Sequence, residues 1–210
     1  MTHLFLTSQI TSVVDHIAEK LGEQVKKPMV YITTSYRYKS EIPGWQPKHR
    51  ASLVQAGFDP IDYDISGKSE QDLIRDLAHY EIIYIEGGNV FYLLQQARLN
   101  NFGSYLKQRV GEGVIYIASS AGSVIVGPDI SSASRPGKEP KEYGLTSTTG
   151  FGLVNFVVMP HWGAPEKKEA YLNYKIPNSY HEDHPHILLS NHQYIEVVGD
   201  SFHIITVNQS

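Results

Sequence analysis

The run Val114-Ile115-Tyr116-Ile117-Ala118 is apolar at every position and leads without a break into Ser119-Ser120-Ala121-Gly122-Ser123. A strand with no polar alternation has both faces covered, so it belongs inside a parallel sheet flanked by helices. The rest of the chain repeats the theme, with short apolar runs alternating with segments of helical period, the pattern of an α/β domain. His3 to Leu6 reads as a first strand, and Thr11 to Leu21 as a helix because Val13, Val14, Ile17 and Leu21 share one face. Further strands are expected at Pro28 to Thr33, Ile61 to Ile65 and Glu81 to Ile85. Helices are expected to end near Gly57 and to cover Glu70 to His79, Val90 to Gln96 with Asn89 as its cap, and Asn101 to Val110. Ser35 to Pro47 and Ser131 to Gly150 carry no period and read as loops, the second of them lying next to the serine motif. Phe156 to Pro160 reads as another apolar strand ending at His161, and Ile187 to Ser190, Tyr194 to Val198 and Phe202 to Val207 read as closing strands, the last two as a hairpin turning at Gly199-Asp200.

Composition narrows the function. The 210 residues bury one sizeable core, and no shift in character marks a second domain, so 1–210 is expected to be a single α/β domain. A net charge of −4 gives no basic surface for nucleic acid or anionic membrane, and the expected partner is a small molecule. The absence of cysteine removes disulfides, thiolate metal sites and a thiol nucleophile together, so any nucleophile is an oxygen. Met1 to Ser8 has no basic stretch followed by an apolar run, and no apolar segment approaches about 18 residues, so a cytoplasmic location is expected by elimination. His181-Glu182-Asp183-His184-Pro185-His186 is dense in metal-ligand types, but it matches neither a helical His-Glu-x-x-His arrangement nor a finger, and Pro185 breaks a helix there. It reads as a solvated loop, and no metal or other cofactor is expected.

A serine at a strand end, followed within two residues by glycine and then by a helix, is the layout of a nucleophile elbow, in which a sharp turn exposes the hydroxyl above the sheet. The third position of Ala118-Ser119-Ser120-Ala121-Gly122 selects Ser120, and the amide of Ala121 is a natural donor to an oxyanion. Gly87-Gly88-Asn89 ends the strand expected beside it, and glycine lets a backbone N–H approach a ligand closely, so Gly88 is the second candidate donor. Among ten histidines, His161 alone follows an apolar strand through a proline, in Met159-Pro160-His161-Trp162. That position at a strand end makes it the candidate base. Tyr31, Tyr36, Tyr38 and Trp45 fit either a pocket lining or core packing.

The run Ile85-Glu86-Gly87-Gly88-Asn89-Val90-Phe91-Tyr92-Leu93-Leu94, the segment from Tyr116 through Ser120 to Ser123, Pro160-His161, and Leu189-Ser190-Asn191-His192-Gln193-Tyr194-Ile195 together resemble the dipeptidase E (aspartyl dipeptidase) family, which is related to cyanophycinases. The resemblance runs nearly end to end. It implies a flavodoxin-like, class I glutamine amidotransferase-like three-layer sandwich with a mainly parallel sheet and serine in place of the cysteine of those enzymes. It also implies Ser120 as nucleophile, His161 as general base, Gly88 and Ala121 as oxyanion hole, and metal-free release of an N-terminal acidic residue from short peptides by acylation and deacylation. A homodimer is an open option for assembly.

Three features depart from the family pattern. Its orienting acid falls about where this chain has Arg135, Pro136 and Gly137, so the acid is either displaced, with Glu139 the nearest carboxylate and Asp129 and Glu142 as further candidates, or absent. Glu86 stands beside the oxyanion loop, where it would either oppose an oxyanion or bind a substrate amino group. Lys167 and Lys168 occupy the region where an arginine would read an acidic side chain, without the bidentate fork. The alternatives to a peptidase are an esterase or amidase using the same pair of residues, and a weak or inactive binding module of the same fold.

Overall fold

The computed structural model describes residues 1–38, 41–180 and 183–208. Five parallel strands form the centre of a seven-stranded sheet: β1 (His3–Thr7), β2 (Met29–Ile32), β3 (Pro60–Tyr63), β4 (Ile82–Ile85) and β5 (Ile115–Ser119), in the spatial order β3-β2-β4-β5-β1. The hairpin of β8 (Gln193–Val198) and β9 (Ser201–Thr206) extends the sheet, with β8 antiparallel to β1. Helices cover the faces: α1 (Val14–Leu21), α2 (Thr34–Arg37), α3 (Gln46–Gln55), α4 (Glu70–Leu77), α5 (Val90–Leu99), α6 (Phe102–Gly111) and α7 (Ala121–Ile125).

Two-residue periodicity along fully apolar strands divides the core in two. Leu4, Leu6, Val30, Ile32, Ile83, Ile85, Tyr116 and Ala118 point into one layer, and Phe5, Met29, Tyr31, Ile82, Tyr84, Ile115 and Ile117 into the other. Full burial of a large apolar side chain contributes roughly 1.5–3 kcal/mol, so these strands anchor the sheet and fix the height at which their C-terminal ends stop. Thr7, Ile85 and Ser119 stop together on one edge, where open α/β sheets bind ligands.

The expected α/β architecture with a mainly parallel sheet is present, with differences in detail. The helix expected from Thr11 opens as a 3₁₀ turn, Ile10–Ser12, before α1. The stretch from Ser35 to Pro47 holds the single turn of α2 and the start of α3, whose Pro47 sits in the first helical turn, where no amide is needed. The strand expected to close the sheet at Ile187 to Ser190 does not join it, and neither does β6 (Val157–Pro160). Instead β6 pairs in parallel with β7 (His186–Leu189) as a separate two-stranded sheet, Pro160 opposite Leu189. Between them lie α8 (Lys168–Ala170), a π-helical turn (Tyr171–Lys175) and α9 (Ile176–Ser179). The segment 129–149 is ordered by bridges between Asp129 and Thr149 and between Arg135 and Lys138, with Leu145 buried. Among the described residues no helix is long and apolar enough to cross a membrane.

The turn from β5 into α7 is packed without slack against β4. A Cβ on Gly122 would lie 2.3 Å from the Ile85 carbonyl oxygen, a backbone atom that cannot move aside. Gly122→Ala is therefore expected to lose at least about 2 kcal/mol of unfolding free energy in chemical denaturation.

Candidate active site

Ser120 lies at the junction of β5 and α7 with φ +48° and ψ −104°. A non-glycine residue there costs on the order of 1–3 kcal/mol and persists only when its surroundings enforce it. The end of β1 supplies that enforcement: the Ser120 amide donates to the Thr7 carbonyl at 2.9 Å, and the Ser123 hydroxyl donates to the same oxygen at 2.8 Å. The Ser120 side chain is left projecting from the strand end toward β6. His161, the residue after β6, also has a positive φ, +67°. Its amide donates to the Ser8 hydroxyl at 3.1 Å, and that hydroxyl donates to the Leu189 carbonyl at 2.7 Å.

These constraints bring Ser120 and His161 into contact. His161 Nε2 is 3.0 Å from Ser120 Oγ, and His161 Nδ1 is 2.8 Å from Asn191 Oδ1. An amide oxygen at Nδ1 requires the proton there, which leaves Nε2 as an acceptor facing the serine hydroxyl. Burial holds the His161 pKa below its ordinary value, and Lys167 and Lys175 push the same way, while the bond to Asn191 opposes them. The ring is thus neutral and able to accept a proton near neutral pH.

The partner of His161 is an amide, and none of the three candidate carboxylates occupies that position. Asp129 accepts from the Ser131 amide and the Thr148 hydroxyl. Glu139 pairs with Lys141 at 2.7 Å, and Glu142 accepts from the Glu139 amide at 3.3 Å, so all three carboxylates serve the fold of their own loop. Asn191 follows β7 as His161 follows β6, and parallel pairing of the two strands brings their ends together. The signal in the sequence was that second apolar run ending at Ser190-Asn191.

Gly87 and Gly88 close β4 beside the serine: a Cβ on Gly87 would lie 3.2 Å from Ser120 Cβ. Gly88 has φ +146°, and a Cβ there would stand 2.5 Å from the Ser35 carbonyl oxygen, so the position accepts only glycine. Among the described residues neither the Gly88 nor the Ala121 amide has a hydrogen-bond partner. Asn89 caps α5 by accepting from the Phe91 and Tyr92 amides. Tyr31 and Tyr36 are core residues, and Trp45, though exposed, packs edge-on against Tyr36.

The cations near His161 differ from those expected. Lys168 is exposed and Lys167 partly buried. Lys175, which sequence reasoning missed, sits over the Tyr171 ring at 4.7 Å, and its pKa is pushed down to about 8 by burial and then by Arg135, Lys167 and Lys138. Among the described residues no carboxylate pairs with it. No group of three or more His, Asp or Glu suited to a metal occurs among the described residues; of the 181–186 run, His181 and Glu182 lie outside them.

A model of peptidase family S51 matches residues 4–205. An uncharacterized peptidase of Pasteurella multocida is 30% identical over 96% of this chain and 96% of its own length. A peptidase E of Nostoc sp. is 29% identical over 75% of this chain and 57% of its own length. The crystal structure of a candidate peptidase E protein from Listeria monocytogenes superposes with a TM-score of 0.87 at 27% identity, covering 99% of this chain and 100% of that one.

The Asn191 contact has a titration signature. In NMR, His161 is expected to titrate below the ordinary histidine value of 6.5. Asn191→Asp is expected to raise that midpoint, because a carboxylate favours the imidazolium. A midpoint in Asn191→Asp at or below wild type would contradict the contact.

Proposed function

The chain belongs to peptidase family S51 and is a peptidase; on that premise we propose that it cleaves short peptides through an acyl-enzyme on Ser120, with His161 as general base and Asn191 orienting it. The observation that carries this reading is the continuous line from Asn191 Oδ1 through His161 to Ser120 Oγ, at 2.8 and 3.0 Å. His161 Nε2 takes the hydroxyl proton as Ser120 Oγ attacks the scissile carbonyl carbon. The tetrahedral oxyanion accepts from the Gly88 and Ala121 amides, which are otherwise unpaired among the described residues. His161 then protonates the leaving nitrogen, the C–N bond breaks, and the amine departs. Water, deprotonated by the same ring, attacks the ester carbonyl and frees Ser120.

An asparagine in the third position orients without adding charge. In a serine triad built for aspartate, the amide substitution costs about 10⁴ in turnover, chiefly through the wrong tautomer. Here Asn191 Oδ1 accepts from Nδ1, which supports the productive tautomer, so the remaining cost is the lost attraction to the imidazolium. A histidine–asparagine pair serving a cysteine nucleophile has the same logic.

For the substrate, the reading is a peptide with an acidic N-terminal residue. Its support is Lys175, a partly buried ammonium among Arg135, Lys167 and Lys138 with no carboxylate partner among the described residues. A substrate carboxylate would neutralise it. The test is a panel of dipeptides with acidic, neutral and basic N-terminal residues. Acidic ones are expected to be cleaved fastest, and Ser120→Ala to lose a factor of about 10³ or more in kcat. Lys175→Met is expected to lower kcat/KM at least about tenfold for the acidic dipeptides and to spare the neutral ones. Equal losses on both classes would remove Lys175 from substrate recognition.

A further inference from the structure

Two adjacent glycines make the freest backbone a chain contains, yet an oxyanion donor has to be aimed before the reaction begins. Gly87-Gly88 is held by what surrounds it. The Ser35 hydroxyl lies 2.9 Å from the Glu86 carbonyl oxygen and 2.6 Å from that of Gly87, and the Ser35 carbonyl accepts from the Asn89 amide at 2.7 Å. The remaining restraint comes from Glu86, whose Oε1 accepts from the Gly87 amide at 2.5 Å.

Glu86 is 0% exposed and immediately precedes the loop. Burying a carboxylate costs several kcal/mol unless donors surround it. Here the Tyr31 hydroxyl donates to Oε2, the Tyr84 hydroxyl reaches the same oxygen at 3.2 Å, and His49 Nδ1 lies 3.1 and 3.2 Å from the two oxygens. Tyr31 and Tyr84 stack at 4.8 Å, and His49 packs against Trp45 at 5.1 Å. Burial, reinforced by the Glu86 carboxylate, pushes both phenol pKa values well above the usual range, which keeps the hydroxyls protonated as donors. With both oxygens occupied, the carboxylate has no vacancy for a substrate amino group, and its contacts lie with Tyr31, Tyr84, His49 and the Gly87 amide.

We propose that Glu86 is a positioning residue: clamped by Tyr31, Tyr84 and His49, it holds the Gly87 amide so that the next amide, that of Gly88, stays aimed at the carbonyl attacked by Ser120. A glutamate whose task was only to fill the core would be replaced by an apolar residue without loss, whereas one that sets a peptide plane has to keep its acceptor in place. The inference rests on the Ser120–His161 reading and adds to it a residue that touches neither substrate nor reacting atoms.

The test compares wild type, Glu86→Gln, His49→Gln and Ser120→Ala. It measures kcat and KM on the best-cleaved dipeptide, the rate constant for phosphonylation by a fluorophosphonate, and Tm. Glutamine keeps the size but presents an NH₂ to the phenol and imidazole donors, so the clamp reorients. The expected result is a fall of about tenfold or more in kcat and in the phosphonylation rate, with KM within about twofold, and a smaller fall in the same direction for His49→Gln. If Glu86→Gln folds poorly, His49→Gln, at a partly exposed position, carries the test. A lowered Tm with unchanged kcat and phosphonylation rate overturns the positioning role alone. Activity surviving in Ser120→Ala overturns the parent reading, and this inference with it.

Discussion

The end of β1 is the point on which the rest of the site depends. Ser120 belongs to the main sheet and His161 to the separate pair β6–β7, so their 3.0 Å contact exists only if the two sheets keep one relative position. Thr7 and Ser8, both fully buried, fix that position. The Thr7 carbonyl takes the Ser120 amide and the Ser123 hydroxyl, while the Ser8 hydroxyl joins the His161 amide to the Leu189 carbonyl. In a dry interior each of these bonds is enforced by the desolvation penalty of leaving its partner unmade, about 1–3 kcal/mol. Two consecutive polar residues at the end of an apolar strand thus set the geometry of groups far apart in the chain.

Both chemical residues stand at positive φ, and so does Gly88 across from them. Strain at Ser120 and His161 is sustained by the surrounding bonds and by the core beneath β4 and β5, and it turns both side chains out of the strand direction toward each other. The same logic extends to the Gly87-Gly88 turn, where Ser35 and Glu86 replace conformational freedom with hydrogen bonds. Rigidity of the site is bought from the parallel strands, whose buried side chains leave the C-terminal edge no room to shift.

Much of this was legible in the sequence, and the gaps have physical reasons. The inner strands β2, β4 and β5 declare themselves because residues buried on both faces must be apolar, as Val114 to Ala118 is, whereas the edge strand β3 is partly exposed. Ser120 and His161 are legible because each follows such a run. Asn191 is not legible, because the family pattern points to a carboxylate in the loop after the serine, where Asp129, Glu139 and Glu142 are spent on turns and ion pairs. Lys175 escaped because neither its partial burial nor the cations around it follow from local sequence. The pairing of β6 with β7 apart from the main sheet was equally hidden, because periodicity identifies a strand but not its neighbour.

The central claim, that Ser120 is a nucleophile served by His161, is tested most directly by intact-mass analysis after fluorophosphonate treatment of wild type, Ser120→Ala and His161→Ala under identical conditions. The account predicts a single adduct on wild type, none on Ser120→Ala, and at most slow labelling of His161→Ala. A folded wild type that stays unlabelled, or an adduct that persists in Ser120→Ala, would contradict it.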